Sequence, residues 1–223
     1  MALVRFHDAD IINGEETVIY SLNMEVGEGD LVYILGKVGS GKTSIIRTMT
    51  AENKLSAGEG EVCGYDLRIL RSRDIPYLRR KLGVVFQDFQ LLMDRSVHDN
   101  LEFVLRATGW KEAARIDKRI EEVLKSVGME TKSHKMPHQL SGGEQQRIAI
   151  ARSILNSPSL ILADEPTGNL DDETATGILE LLRRINKEDG TAIVMVTHNR
   201  SIVERYPGRV FICKDESCVE DNA

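Results

Sequence analysis

An α/β fold, a parallel sheet with a helical lobe inserted into it, follows from three features of the chain. Short apolar runs recur at 31–35 (LVYIL), 82–86 (LGVVF), 160–163 (LILA) and 192–196 (AIVMV), the pattern of strands buried on both faces. Helical segments follow the first and third of these runs, the alternation that builds parallel sheets through right-handed crossovers. Between the second and third runs, from about 87 to 155, the character changes to amphipathic and helical.

Taken in order, 3–6 and 17–26 read as short strands, with Asn13-Gly14 and Gly27-Glu28-Gly29-Asp30 as turns. The run 31–35 passes directly into GKVGSGKT, and 44–49 can continue as a helix. Residues 58–64, with glycines at 58, 60 and 64, read as turn-rich. After the strand at 82–86, residues 111–127 place Ile116, Ile120, Val123, Leu124 and Val127 on one helical face, a stripe that packs into a core. A helix over about 172–186 joins the last two strands. One domain is expected, with its core in 1–87 and 156–223 and a helical subdomain over about 88–155. No repeat or low-complexity segment interrupts it.

The chain has 223 residues, is 41% hydrophobic and 29% charged, and carries a formal net charge of −6. That balance affords a sizeable core and weighs against nonspecific binding to nucleic acid or an anionic membrane, so no nucleic-acid partner is expected. The basic run Arg79-Arg80-Lys81 reads as a solvated helix face. Cys63, Cys213 and Cys218 are odd in number and match no metal spacing, which points to free thiols in a reducing compartment. No stretch is long and apolar enough to span a bilayer, and MALVRFHDAD lacks a signal-peptide apolar region. Work at a membrane would require a partner already there.

Gly36-Lys37-Val38-Gly39-Ser40-Gly41-Lys42-Thr43 fits G-x-x-x-x-G-K-[ST]. Its glycines let successive backbone N–H groups converge on phosphate oxygens, and the helix that follows, from Ser44, adds the positive end of its dipole. Lys42 would reach the β/γ-phosphates and Thr43 would hold Mg²⁺, while Lys37 is more simply a solvated lysine. The apolar run 160–163 ends in Asp164-Glu165, which puts Asp164 at the carboxyl edge of the sheet as a Mg²⁺ ligand and Glu165 beside it as a general base. In Leu140-Ser141-Gly142-Gly143-Glu144-Gln145-Gln146-Arg147, Ser141 is an N-cap with Glu144 three residues on, a capping box that leaves glycine N–H groups open to an anion. His134, His138 and Trp110 lack such context and read as loop or packing residues.

LSGGEQQR resembles the signature of the ATP-binding cassette (ABC) ATPases, and the family's other motifs follow in order: Gln87 in VFQD resembles the Q-loop glutamine, Glu165 the catalytic glutamate, Gly168-Asn169-Leu170-Asp171 the D-loop and His198 in VTHN the switch histidine. The resemblance covers nearly the whole chain. It implies a P-loop, RecA-like core with an N-terminal antiparallel β subdomain and an inserted helical subdomain. It also implies a homodimer that sandwiches two ATP molecules, each between the phosphate loop of one subunit and Ser141-Gly142-Gly143 of the other, with Glu144 and Asp171 close by. Gln87 would touch Mg²⁺ and the attacking water, and His198 the γ-phosphate. The aromatic residue that stacks on adenine in this family falls here at Ile11 or Ile12, and Ile12 is carried forward as the base contact; modest ATP affinity and weak preference over GTP are the consequence.

The segment FQDFQLLMDRSVHDNL occupies the place where the family receives a coupling helix from a membrane subunit. Residues 87–101 would form that contact, with Leu91, Leu92 and Met93 as an apolar floor and Asp94, Arg95 and Asp99 around it. QLLMDRSVHDNL and ADEPTGNLDD resemble the FtsE-type cell-division branch, which implies an FtsX-like, permease-like integral membrane partner and a position at the cytoplasmic face of the cell membrane. A lipoprotein-releasing or efflux-type transporter ATPase is the alternative. The chain closes soon after His198, so no added regulatory domain is expected.

Overall fold

The computed structural model describes residues 2–221. Its strands divide between two sheets. The first is antiparallel, in the order β2-β1-β4-β5, from β1 (Ala2–Asn13), β2 (Glu16–Gly27), β4 (Leu55–Val62) and β5 (Tyr65–Asp66). The second has the order β10-β9-β3-β8-β7-β6, built from β3 (Leu31–Gly36), β6 (Leu82–Val85), β7 (Leu160–Asp164), β8 (Ala192–Thr197), β9 (Arg209–Lys214) and β10 (Ser217–Glu220). Strands β9, β3, β8, β7 and β6 run parallel, and β10 closes the edge as an antiparallel hairpin with β9.

The central parallel strands β3, β7 and β8 carry near-continuous apolar runs because both faces are covered. Val32, Ile34, Leu162, Val194 and Val196 face α1 (Lys42–Met49) and the antiparallel sheet, while Tyr33, Ile161, Ala163, Ile193 and Met195 face the helices of the other side. Those helices are α3 (Val97–Ala107), α4 (Ala113–Ser126) and α5 (Gly142–Ile154), all between β6 and β7 in the chain, and α6 (Asp172–Asp189). The stripe Ile116, Ile120, Val123 and Leu124 of α4 is fully buried among them. Two short helices, α2 (Ile75–Arg79) and α7 (Arg200–Arg205), complete the set. Among the described residues, no helix is long and apolar enough to cross a membrane.

Three expectations change. The first strand extends well past 3–6, through Asn13, because its pairing with β2 and β4 is irregular around Asp8, at φ +45°, and the irregularity hides the alternation in the sequence. The glycine-rich 58–64 is mostly strand β4, not turn. Gly58, at φ +75°, lies where a Cβ would overlap the Asp8 carbonyl, and one on Gly60 would press 2.5 Å from Leu55 Cδ1; the glycines mark close approach of two strands. Finally, Cys213 and Cys218 stand opposite each other in the β9–β10 hairpin and are joined as a disulfide, because the register makes them a direct cross-strand pair, leaving Cys63 as the free, buried thiol.

Candidate functional site

The central strands end level. Leu35 of β3 pairs with Thr197 of β8, Val196 of β8 with Asp164 of β7, and Ala163 of β7 with Val85 of β6. The residues that leave these strands, 36–43, Glu165, His198 and Gln87, therefore emerge along one carboxyl edge, where open parallel sheets bind ligands.

The loop between β3 and α1 is tightly wound. A Cβ on Gly36 would come within 2.5 Å of both the Cys213 carbonyl and Ser40 Oγ, so the close packing of β9 demands glycine there. Gly41, at φ +87°, caps α1 in the left-handed region. Lys42 Nζ donates to the carbonyls of Gly36 and Lys37, 2.8 Å each, folding the ammonium over its own loop. Burial pushes its pKa down, and the charges of Glu165 and Asp164 oppose that shift. Ser40 Oγ is buried without a hydrogen-bond partner, an orphaned polar atom inside the loop. Val38, 93% exposed, points away, as does the exposed Lys37, while Ser44 is buried in the first turn of α1. A retracted ammonium, an orphaned hydroxyl and the positive end of α1 fit a phosphate chain.

Beside the loop, Thr43 Oγ1 donates to Asp164 Oδ1 at 3.2 Å. Burial raises the Asp164 pKa, and the Thr43 hydrogen bond works against that rise. Glu165 follows at φ +48°, its N–H donating to the Val196 carbonyl at 3.0 Å, and its carboxylate meets His198 Nδ1 at 3.0 Å. Gln87 is hydrogen-bonded to a different residue. Its Nε2 donates to Asn169 Oδ1 at 3.2 Å, and Asn169 Nδ2 donates back to the Gln87 carbonyl at 3.0 Å. Asn169 is thus a partner that the sequence placed in a motif without assigning it a task. Ile12 is half-buried near the end of β1, opposite Thr17, with its carbonyl held by Asn53 Nδ2 at 2.7 Å.

Ser141 caps α5 as its spacing anticipates: Glu144 N–H donates to Ser141 Oγ at 3.3 Å, and Ser141 N–H to Glu144 Oε2 at 2.9 Å. Lys132 pairs with Glu144 at 2.8 Å and holds its carboxyl below the usual range. The atoms nearest a Cβ on Gly142 belong to Leu170 and Phe89, and those nearest one on Gly143 to Thr174, so the glycine pair packs on the start of α6 rather than on the loop 36–43. Asp171 caps α6, accepting from Thr174 N–H at 2.9 Å and Thr174 Oγ1 at 2.7 Å.

The segment 86–101 behaves differently from its reading as a continuous floor. Leu91 is buried in the core, and Met93, 54% exposed, lies outside the groove; Leu92 alone of the three lines it. The groove, about 540 Å³, is floored by Leu82, Val84, Phe86, Leu92, Phe103 and Val104, and its charged lining residues are Arg79, Arg80 and Arg152 rather than Asp94, Arg95 and Asp99. Buried Asn100 fastens the segment, accepting from Leu92 N–H at 2.8 Å and donating to the carbonyls of Leu92 and Ser96. That knot turns Leu91 inward and leaves Leu92 facing the groove.

Residues 19–168 match the family model described as ABC transporter. The chain is 42% identical over 207 residues to the cell division ATP-binding protein FtsE of Streptococcus pneumoniae, covering 93% of this chain and 89% of that protein. Identity to the FtsE proteins of Mycobacterium tuberculosis and Escherichia coli is 43% over 189 residues (85% and 81% covered) and 36% over 214 residues (96% of each). Among solved structures, the dimeric bacterial ABC transporter cassette MJ0796 superposes with a TM-score of 0.84 at 34% identity, covering 96% of each chain. Its post-hydrolysis dimer bound to ADP and Pi gives 0.85 at 34%, covering 98% and 97%. With its phosphate loop, acidic pair and capped signature helix on the same scaffold, the chain belongs to the ABC transporter family as an ABC-type ATPase, in the group of the cell-division ATP-binding proteins FtsE.

Proposed function

We propose that this ATPase works as a homodimer bound to an FtsX-like integral membrane subunit at the cytoplasmic face of the cell membrane, turning ATP-driven closure into motion of that partner during cell division. The observation that carries the reading is the clustering of Thr43–Asp164 and Glu165–His198 on one sheet edge, with Gly142 and Gly143 of the capped signature lying beside Leu170, Phe89 and Thr174 and no atom of the loop 36–43 among their nearest neighbours. A phosphate loop without its signature is half a site, and a second copy supplies the other half. In this reading the N–H groups of 36–44 and the Lys42 ammonium hold the phosphates, and Ile12 touches the base. Ser141, Gly142, Gly143 and Glu144 of one subunit, with Asp171, close the site of the other. Glu165 takes the proton of the attacking water, and His198 holds the γ-phosphate. Thr43, Asp164 and Gln87 offer the oxygen donors that suit Mg²⁺, which supplies neutralisation of phosphate charge when bound. The groove receives the membrane subunit: its floor is apolar and its charged rim wholly arginine, which favours an amphipathic segment bearing carboxylates.

The test is chromatography and pull-down of Glu165→Gln with ATP and Mg²⁺ from detergent-solubilised membranes. A stable dimer that retains a four-span permease associated with division proteins supports the reading. A permease linked to lipoprotein release or efflux moves the function to transport, and a chain that stays monomeric with bound ATP overturns the sandwich.

A further inference from the structure

Just after Gln87 the chain takes a path that residues with a Cβ rarely adopt. Phe89 and Gln90 both lie at positive φ, +59° and +49°, and Gln90 N–H closes the turn on the Asp88 carbonyl at 2.6 Å. Successive left-handed residues other than glycine are unfavourable and persist only where their surroundings hold them. Here the hold is Arg152: Nη2 donates to the Phe89 carbonyl at 2.8 Å and Nη1 to the Gln90 carbonyl. The planar fork of a guanidinium presents two N–H donors in a fixed geometry to two adjacent carbonyls, a rigidity that the single rotatable ammonium of a lysine does not supply. Burial pushes the Arg152 pKa down, opposed by the charge of Asp88.

Arg152 stands in the last turn of α5, the helix whose first turn carries Gly142 and Gly143. Thirteen helical residues make a rod of about 20 Å, and the turn meets it at both ends: Arg152 in the last turn holds the carbonyls of Phe89 and Gln90, and the Phe89 ring lies beside Gly142 in the first. Arg152 and Gln90 also line the groove. We propose that Arg152 is a positioning residue for ATP hydrolysis: it clamps the strained turn 88–90 to α5 and thereby fixes where Gln87 is presented, tying the Q-loop and the groove to the signature helix. The inference rests on the reading of Gln87 as a residue that lines up the attacking water.

The test compares Arg152→Lys in two backgrounds, the natural full-length chain and one carrying Phe89→Gly with Gln90→Gly, whose turn needs no clamp because glycine adopts positive φ freely. Turnover at saturating ATP is measured beside ATP affinity and thermal melting. In the natural background Arg152→Lys is expected to lower kcat by roughly tenfold to a hundredfold, the scale of a misplaced positioning group, with ATP affinity held within about twofold. In the glycine background the same substitution is expected to cost less than about threefold, the signature of two coupled sites. An equal loss in both backgrounds, a parental kcat in Arg152→Lys, or a loss accounted for entirely by unfolded protein overturns the proposal. If Arg152→Lys is not recovered folded, Arg152→Gln, with one amide donor, replaces it in the same comparison. Gln87→Ala separates the two readings: parental turnover there removes the role of Gln87 itself, whereas loss there beside parental turnover in Arg152→Lys removes only the clamp.

Discussion

His198 Nδ1 lies 3.0 Å from Glu165 Oε1 and 3.1 Å from Oε2, so the histidine that follows β8 and the carboxylate that follows β7 form one pair. An ionised carboxylate only accepts, so in that state Nδ1 carries the shared hydrogen. The Glu165 side chain is 16% exposed and that of His198 60%, which makes the histidine the open side of the pair. Glu165 also sits at φ +48°, the kind of local strain that collects at functional sites.

Glu165→Gln keeps the shape of that pair and removes the proposed general base. The expected loss of turnover is about 10²–10⁴, or roughly 3–5 kcal/mol of barrier, with ATP binding retained. Phosphate release measured at saturating ATP decides it. Hydrolysis at the parental rate would take Glu165 out of the proton-transfer role.

Asp164 offers a test in pH. Burial raises its folded pKa above the ordinary 3.8, so the folded state binds this proton more tightly than the unfolded chain does. Stability from this group therefore falls as pH rises through that window, and at neutral pH the ionised carboxylate is a burden that a bound cation would relieve. Asp164→Asn is expected to raise Tm at pH 7 without nucleotide or Mg²⁺, to lose that advantage as pH falls toward 3.8, and to lose ATPase activity. A lower Tm at pH 7, or a difference independent of pH, would contradict this account of the site.

The parts legible in sequence are those where one residue type has one physical use. The apolar runs 31–35, 160–163 and 192–196 became β3, β7 and β8 because burial on both faces leaves no room for polar alternation. Ser141 and Glu144 formed their capping box because the pattern is local. Strand β4 was hidden because Gly58 and Gly60 signal turns locally, whereas here Gly58 answers to the backbone of β1, far away in sequence, and Gly60 to the side chains of Leu55 and Phe6. The same holds for Gln87 with Asn169 and Arg152 with the carbonyls of 89 and 90: each pairing joins residues far apart in the chain, so no spacing rule exposes it. The C-terminal hairpin β9–β10 also escaped, and with it the pairing of Cys213 with Cys218.

Leu92 and Met93 are adjacent, both apolar and both exposed, yet only Leu92 lines the groove. Leu92→Asp is expected to prevent recovery of the membrane subunit with the chain, and Met93→Asp to leave it in place. Both carboxylates replace side chains already in solvent contact, so both variants should fold. Equal loss in the two, read by co-purification from membranes, would show that the partner covers a broader surface than the groove.

Gly58 carries a prediction about stability alone. Its φ of +75° and its contact with the Asp8 carbonyl leave no position for a methyl group. Gly58→Ala is expected to destabilise the fold by about 2 kcal/mol or more, from left-handed strain and displaced backbone together. Urea unfolding gives the number; an unchanged midpoint would mean that β1 and β4 separate without cost at this bulge.

Ile12 bears on which nucleotide is used. In the proposed site an isoleucine at the base contact would forgo an aromatic stack worth on the order of 1–3 kcal/mol, by analogy with base stacking on proteins. That is roughly fivefold to a hundredfold in affinity, and apolar contact recovers part of it. The backbone of Ile12 is already fixed by Asn53 and by pairing with Thr17, so Ile12→Tyr adds a ring without reshaping β1. Titration with ATP and GTP is expected to show modest affinity and weak preference in the natural chain, and a gain for ATP in Ile12→Tyr that approaches the stacking value. Tight, strongly adenine-selective binding by the natural chain would mean that the base is held elsewhere, because an aliphatic side chain cannot tell the edges of two purines apart.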